Sequence, residues 1–589
     1  MTTRSWKKGA RALRILLCAL NASYSHTCLS LRYLAALRAS ASHQVEFLEY
    51  TINDPLDQIE AEIERRSPEL LAFSCYIWNI TLLLDLADSL KKVRPGLTVL
   101  FGGPEVSFAA EEFLAQNLQV DMVAAGEGEL VWPILLAALA AGGGLEQVPG
   151  LSWRENGTIR VNPAPPPLSL ADLPRAYRPE TENYAKRLIY YEASRGCPFT
   201  CAFCLSGEEQ GVRFADPARV LRDMETLAAS GAAAIKFVDR TFNCHREHAL
   251  AIWRGLLPYA GKMRFHFELA GDLLTHEELD FLAAVPPGLF QFEVGVQSTH
   301  APTLEAISRP TDLGRLEANL RALLAPGNIH IHLDLIAGLP FESYERCLDS
   351  LDFCLRLFPD ALQVGFLKML KGTRLRREAD ALGYLYRRRP PYEVLANPWL
   401  SFPELNRLKI LAGLADRYYS RGRFLHTLRR VFADTDSPAR FLAGLAAYTA
   451  DTGWHLRRHQ TRDLPPHLLA YLESRGAVAP WLRDCLRLDL LCADRHEPEP
   501  AWADPPEVPG LQNIWHDWLR LAEHRAELTS DFAALTPREV AGRTRIIVLP
   551  TDPRKDAPVS SGPVFLALIY PGEGSEAEKT RVVRLESLT

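Results

Sequence analysis

The chain has 589 residues, 47% of them apolar and 23% charged, with a formal net charge of −6. This is the composition of a globular protein of about three domains; it excludes a collagen-like or low-complexity chain and offers no basic surface for nucleic acid. Eleven cysteines, an odd number scattered over a long chain, exclude a secreted disulfide framework.

Arg4, Lys7, Lys8, Arg11 and Arg14 precede the apolar run Ile15–Leu20, a pattern that mimics a signal peptide. The run is short and no A-x-A site follows it, so it reads as the first strand of a buried sheet. No apolar stretch approaches the roughly 20 residues of a membrane span. Strand patterns at Leu13–Ala19, Gln44–Tyr50, Glu69–Cys75, Leu97–Gly102 and Asp121–Ala125 then alternate with helical ones at Leu29–Arg38, Leu56–Arg66, Ile80–Val93 and Ser107–Gln116. This alternation predicts a doubly wound, flavodoxin-like parallel sheet, whose ligands bind beyond the carboxyl ends of the strands. The loops there carry Ser23, Tyr24 and His26 after strand one and Tyr76-Ile77-Trp78-Asn79 after strand three. Gly102-Gly103-Pro104-Glu105 follows strand four and Gly126-Glu127-Gly128-Glu129 follows strand five. Glycines there let backbone approach a ligand closely, although each turn taken singly is also ordinary βα-turn chemistry.

Asn156-Gly157 marks a hairpin within Leu151–Val161, and the prolines of 162–177 predict a semi-rigid linker. A second alternation follows, with strand patterns at Leu188–Ala193, Ala234–Val238, Arg264–Leu269, Phe290–Val296, Ile329–Leu335 and Ala361–Phe366. Six βα-like units predict a partial (β/α)6 barrel with its functional groups at the strands' carboxyl ends. Asp239, Asn243, Glu268, Glu293, Gln297, Arg309, Ile336 and Gly338 fall at or near those ends. Carboxylates inside apolar strands are costly to bury without partners, so they are expected to face a polar ligand or one another. Cys347 and Cys354, at i, i+7 spacing, read as a buried helix face. Cys244 lies at the barrel mouth, where it is either a bystander or close to substrate.

Immediately after the first barrel strand comes Arg195-Gly196-Cys197-Pro198-Phe199-Thr200-Cys201-Ala202-Phe203-Cys204. Three thiolates on one tight loop can hold three irons of a [4Fe–4S] cluster and leave the fourth open. A closed zinc site would want a fourth ligand, and no second pair is near. Residues 402–494 read as helical, 497–509 as a second proline-rich linker, and Thr544–Leu549 and Pro563–Tyr570 as strands. Arg387-Arg388-Arg389 reads as a solvated face or an anion-binding run. The expected domains are therefore 1–145, a linker over 146–185, the barrel over 186–395, a helical extension over 396–495 and an α+β segment over 496–589.

The C-x3-C-x2-C loop, with aromatic Phe203 before its last cysteine, resembles the cluster loop of radical S-adenosylmethionine (SAM) enzymes. The G-G-P-E and G-E-G-E loops ahead of it resemble the cobalamin-binding domain of B12-dependent radical SAM enzymes. The helical region after the barrel resembles an uncharacterised extension of one subgroup. The resemblance implies that Cys197, Cys201 and Cys204 hold the cluster and that SAM chelates its open iron. It implies SAM contacts at Phe203, Glu268 and the Asp239–Asn243 segment, the last replacing the family's usual G-G-E for the amino group. Glu293 and Gln297 would lie near the ribose and methionine part, Arg309 at the carboxylate, and Ile336 and Gly338 at the adenine, with the trailing Glu displaced to Glu342. Cobalamin would be held at Ser23, Tyr24, Ser74, Gly102, Gly103, Glu105, Gly126, Glu127 and Gly128. The family's D-x-H-x-x-G motif is absent, because Tyr24 and Leu29 stand where its Asp and Gly would be around His26. The lower cobalt face is therefore expected to be closed by a non-coordinating side chain near Ser74–Trp78, or by water.

The activity so implied is reductive SAM cleavage to a 5′-deoxyadenosyl radical and methyl transfer through methylcobalamin to an unactivated carbon. Ring contraction or oxidative cyclisation is the alternative within the class. A tRNA methylthiotransferase is another, with Cys18, Cys28 and Cys75 to hold a second cluster, and a non-enzymatic cobalamin or cluster sensor is a third. The expected partners are a small-molecule substrate and a flavodoxin- or ferredoxin-type electron donor, without nucleic acid or membrane, in the cytoplasm.

Overall fold

The first strand, β1 (Arg14–Asn21), is buried along its whole length after Arg14. It is apolar on both sides because both faces of its sheet are covered. Leu16, Cys18 and Leu20 enter one core with Phe73, Val99 and Phe101. Ile15, Leu17 and Ala19 enter the opposite core with Trp132 and Leu135, as the period-two alternation of a strand requires. β1 pairs in parallel with β2 (Gln44–Thr51) and β3 (Leu70–Ser74), and β4 (Thr98–Gly102) and β5 (Met122–Ala124) follow. The strand order 2-1-3-4-5 puts the topological switch point between β1 and β3, so their carboxyl-end loops flank the crevice.

These features belong to a computed structural model that describes residues 12–37, 43–178, 182, 184–208, 211–476, 479–550, 552, 563–571, 580–585 and 588. The run Ile15–Leu20 lies wholly within β1. The helices Leu56–Arg66 and Ile80–Val93 have the bounds that their apolar periodicity predicts. The helix expected over Ser107–Gln116 is instead two, Pro104–Ser107 and Ala110–Gln116. Pro104 starts the first at its preferred N-terminal position, and the non-helical dihedrals of Ala109 separate the two. The Asn156-Gly157 hairpin, β6 (Leu151–Glu155) and β7 (Thr158–Val161), does not stand with the linker. It pairs antiparallel on β5 and extends the sheet to seven strands. Asn156 and Gly157 both have positive φ, 49° and 85°, as a two-residue hairpin turn of matching twist requires.

The second sheet begins at β8 (Leu188–Tyr191), and a small antiparallel hairpin of β9 (Ser194–Gly196) and β10 (Val212–Phe214) brackets the cysteine loop. Then come β11 (Ala234–Phe237), β12 (Arg264–Leu269), β13 (Phe290–Gln297), β14 (His330–Ala337) and β15 (Ala361–Phe366), in the order β8-β11-β12-β13-β14-β15. Burial alternates strictly along β12, β13 and β14. One face presents Phe237, Phe267, Phe290 and Phe292, which stack on one another and on Trp253. The other, half-buried face presents Lys236, His266, Glu268, Glu293, His332 and Asp334. A short hairpin, β16 (Leu385–Tyr386) with β17 (Val394–Ala396), lies further along the chain.

The chain divides into two compact units, Met1–Ser343 with Gly365–Phe402, and Tyr344–Val364 with Pro403–Thr589. Both predicted cofactor regions lie in the first. The second contains the antiparallel sheet β18 (Thr544–Leu549), β19 (Val564–Ile569) and β20 (Arg581–Arg584). Leu488 and Leu491 pack on one face of this sheet, and Trp515, Trp518, Phe532 and Val540 on the other. The helices Leu511–Trp518, Ala522–Leu528 and Pro537–Arg543, and strand β20, go beyond the two strands expected there. Each is too short to show a clear period, and β20 reads Arg-Val-Val-Arg. Cys347 and Cys354 are buried on the helix Tyr344–Leu357. No helix among the described residues is long and apolar enough to cross a membrane.

Candidate functional site

The cysteine loop leaves β9 at Gly196, whose φ is +100° and where a Cβ would fall 2.2 Å from the Gly211 carbonyl oxygen. Only glycine fits. The loop is tightened by Cys204 N–H donating to Cys201 O (3.0 Å) and Gly207 N–H to Cys204 O (3.2 Å). It is tied down from both sides, by Ala202 N–H to Ile307 O (2.9 Å) and Leu375 N–H to Ala202 O (2.9 Å). Cys201 is buried, while Cys197 and Cys204 are half-buried. Burial pushes the Cys201 thiol up, Arg309 opposes that shift, and Cys204 and Cys197 both act on it electrostatically. Cys197 and Cys204 are therefore electrostatic neighbours of Cys201, which lies beside the Arg309 guanidinium. Cys197 Sγ also lies 3.7 Å from Thr241 Oγ1, and Phe203 is half-buried beside Cys204. Cys244 is close enough to Cys197 for their charges to interact, and its burial raises it to about 11. It stands by the cluster loop.

Beside the sulfurs, Arg309 Nη1 donates toward Cys201 Sγ (3.8 Å), Nη2 donates to Gly295 O (2.7 Å), and the guanidinium lies 5.3 Å from the Phe199 ring centroid. Gln297 ends β13 with φ +67° at a register shift against β14, a strained position of the kind that functional sites retain. Gln297 Oε1 and Arg309 Nε are both buried without a hydrogen-bond partner. Orphaned polar atoms are costly unless a ligand completes them. The donor set fits the implied groups: three thiols on one loop for the cluster, and unsatisfied amide and guanidinium atoms beside it for a polar ligand such as SAM. Gly338 follows β14 with φ +97°, and its carbonyl accepts from Tyr384 Oη (3.0 Å) and Asn397 Nδ2 (3.0 Å), next to half-buried Ile336. Glu342 accepts from the Ser298 hydroxyl.

Two residues of the segment expected at SAM's amino group also fasten neighbouring strand ends. Asp239 accepts from Ala193 N–H (3.0 Å) and Ser194 Oγ (2.6 Å), and burial raises its carboxyl to about 7. Asn243 clamps Ala270, accepting from its N–H (3.0 Å) and donating to its carbonyl (2.9 Å). Both position the strand ends that carry the site. Glu268 and Glu293 belong to the polar barrel face. Lys236 Nζ lies 3.5 Å from Glu268 and 3.0 Å from Glu293, and His266 Nε2 is 3.0 Å from Glu293. Glu293 sits low despite its burial because His266 and Lys236 stabilise its charge. Asp334 is pushed up by burial and by that same charge. Lys236 and His266 were not singled out from the sequence. Their signal was the one that marked Glu268 and Glu293, a charge alternating with apolar residues inside a strand.

At the end of the first sheet, Gly103 (φ +110°) is required because a Cβ would meet Cys75 O at 2.6 Å, and Gly102 precedes it at the end of β4. Ser74 Oγ bonds Ser30 Oγ (3.1 Å), and Ser23 Oγ bonds Ser25 Oγ (3.4 Å). Tyr24 is 75% exposed under the Arg187 guanidinium. Tyr76 and Trp78 stack at 4.4 Å in the loop after β3. The acidic residues of the glycine loops turn elsewhere. Glu105 accepts from Tyr392 Oη and pairs with Lys371 (3.1 Å). Glu127 pairs with Arg213 (2.5 Å) and Arg195 (3.2 Å) and accepts from Leu168 N–H. Gly126 faces Pro165 and Gly128 faces Leu34. Arg195 also pairs with Glu129 (2.9 Å) and Glu192 (2.6 Å), so the residue two before Cys197 is locked to the turn after β5. Sequence reading missed Arg195 as an anchor.

His26 Nδ1 lies 3.3 Å from Tyr190 Oη, and its backbone bridges Leu188. It is committed to the edge of the barrel sheet. Cys18 and Cys75 lie in one core of the first sheet and Cys28 in the other. Burial raises Cys18 to about 12. These three do not assemble a second cluster site.

The fold and site resemble a radical SAM barrel joined to a B12 binding domain. The family models agree: the B12 binding domain matches residues 15–136 and the radical SAM superfamily residues 191–354. A third, described as a protein of unknown function (DUF4080), matches 380–560. The chain is related to cobalamin-dependent radical SAM methyltransferases. It is 30% identical, over 48% of its length, to a 2-(S-pantetheinyl)-carbapenam-3-carboxylate methyltransferase of Streptantibioticus cattleyicolor. It is 29% identical, again over 48%, to the cobalamin-dependent radical SAM methyltransferase TokK of Streptomyces tokunonensis. It spans 44% of the length of each of these relatives. Over part of the chain its fold is similar to that of the radical SAM methyltransferase TsrM of Kitasatospora setae, solved with cobalamin and a [4Fe–4S] cluster. The TM-score is 0.54 at 18% identity, covering 65% of this chain and 78% of that one.

Proposed function

We propose that the chain is a cobalamin-dependent radical SAM enzyme that methylates an unactivated carbon of a small, natural-product-like substrate. The observation that carries this reading is the Arg195 anchor. It holds the three-thiol loop against the turn that ends β5, so the carboxyl ends of both sheets belong to one body. When bound, the cluster with SAM supplies a substrate-derived radical and cobalamin supplies the methyl group. Cys197, Cys201 and Cys204 would hold three irons, with Arg309 and Gln297 binding SAM beside them. The loops after β1 and β3 would receive the corrin. His26 is engaged with Tyr190, so the stacked Tyr76–Trp78 pair, rather than a histidine, would line the corrin site after β3. The half-buried polar face of the barrel favours a substrate with hydrogen-bonding groups over a bare hydrocarbon. An external one-electron donor and a reducing cytoplasm complete the reading. The carbapenam-type and TokK relatives favour methyl transfer over ring contraction, tRNA methylthiolation or a purely sensory role.

The test is anaerobic reconstitution with iron, sulfide, cobalamin and SAM. Expected are about four irons per chain, a corrin spectrum without an axial nitrogen signature, and 5′-deoxyadenosine on reduction. Full iron loading with no bound corrin would overturn the proposal.

A further inference from the structure

The carboxyl end of the barrel sheet carries a basic surface that the reading above does not use. Residues 368–389 contain eight Lys and Arg against two acidic residues, in a chain whose net charge is −6. Lys368, Arg377, Arg387, Arg388 and Arg389 are exposed. The three consecutive arginines occupy the turn between β16 and β17, flanked by Tyr386 and Tyr392. Arg376 ties this turn to the cluster loop, its guanidinium lying 4.4 Å from the Tyr386 ring centroid and 5.3 Å from that of Tyr392. The neighbouring Leu375 N–H donates to Ala202 O, between Cys201 and Cys204 (2.9 Å). Arg377 pairs with Glu208, just beyond the cysteine loop (3.0 Å). The positive surface is thus one short helix away from the thiols.

We propose that this surface docks an acidic one-electron carrier protein that reduces the cluster. The inference rests on the radical SAM reading, which requires one electron for each SAM cleaved. The exchange is balanced by electron transfer alone: the carrier's reduced prosthetic group loses one electron, the cluster's 2+ state gains it to become 1+, and no bond or proton moves. Like-signed arginines around the entry point raise the encounter rate of an acidic partner and make it salt-dependent.

The probe is recombinant flavodoxin. The variant is the triple substitution Arg387→Glu, Arg388→Glu, Arg389→Glu, compared with Lys262→Glu, Arg264→Glu at the opposite, amino end of β12. Two quantities are read. One is the binding of oxidised flavodoxin by titration. The other is the bleaching rate of the reconstituted cluster by flavodoxin hydroquinone, in stopped flow at low and high salt. Expected is a loss of about 10-fold or more in both for the triple variant at low salt, converging with wild type at high salt. The Lys262/Arg264 control should stay close to wild type, and dithionite should bleach all three proteins equally. Equal flavodoxin affinities and rates for the triple variant and wild type at low salt would overturn the proposal. A wild-type cluster that dithionite cannot reduce would instead defeat the radical SAM reading, and the binding titration would still decide the docking.

Discussion

The two sheets of the first unit end in loops of similar composition, glycines with acidic or amide residues, yet the loops do different work. At the barrel end, Gln297 Oε1 and Arg309 Nε stay buried without partners, next to the cysteine sulfurs. At the end of the first sheet, Glu105 and Glu127 are fully engaged, one with Tyr392 and Lys371 and the other with Arg195 and Arg213. A buried carboxylate must be paired, and here the neighbouring barrel supplies the cations. The difference teaches that loops of similar composition can keep polar atoms open to a ligand or spend their carboxylates on a neighbouring domain. Where an adjoining domain satisfies them, the same loop is a joint.

The sharpest test of the unsatisfied end is Cys201→Ala. It should drop bound iron and abolish 5′-deoxyadenosine formation, measured by iron and sulfide assay and by chromatography. Retention of both would break the assignment of the loop. The joint is tested next by Arg195→Gln, which leaves Glu129 and Glu192 buried and short of a cation. It should cost about 3–5 kcal/mol in chemical denaturation, with partial rescue by Arg195→Lys. Tyr392→Phe removes one hydrogen bond to Glu105 while leaving Lys371 in place, so a smaller loss of about 1–2 kcal/mol is expected in the same assay. The pH-dependent test concerns Asp239, which burial holds at about 7, above the ordinary carboxylate value of 3.8. The folded state keeps a proton that the unfolded chain releases. This contribution is therefore fully present below about pH 4 and is lost as the pH rises through about 7. Asp239→Asn should flatten that part of the stability-versus-pH curve relative to wild type; an unchanged slope would show that another group sets it.

The fold was largely legible because strands and helices write their own periods. The strict alternation of β12 to β14 separates an aromatic face from a charged one without any tertiary information. The apolar run of β1 could only be a strand covered on both sides. The cysteine spacing announced a three-thiolate loop, since three thiols within eight residues answer to local geometry alone. Short elements were not legible: the helices between 511 and 543 and strand β20 are held by packing on neighbours rather than by their own pattern.

By itself, then, the sequence determined the two parallel sheets, the loop that carries the sulfurs, and the polar lining of the barrel. Each follows from interactions within a few residues or from a repeating period. Only the tertiary structure decided which polar loops keep buried atoms without partners and which fasten the domains. Glu129 meets Arg195 across 66 residues and Glu105 meets Tyr392 across 287. A charge's role depends on the partner that burial brings to it, and no local pattern announces a partner so far along the chain.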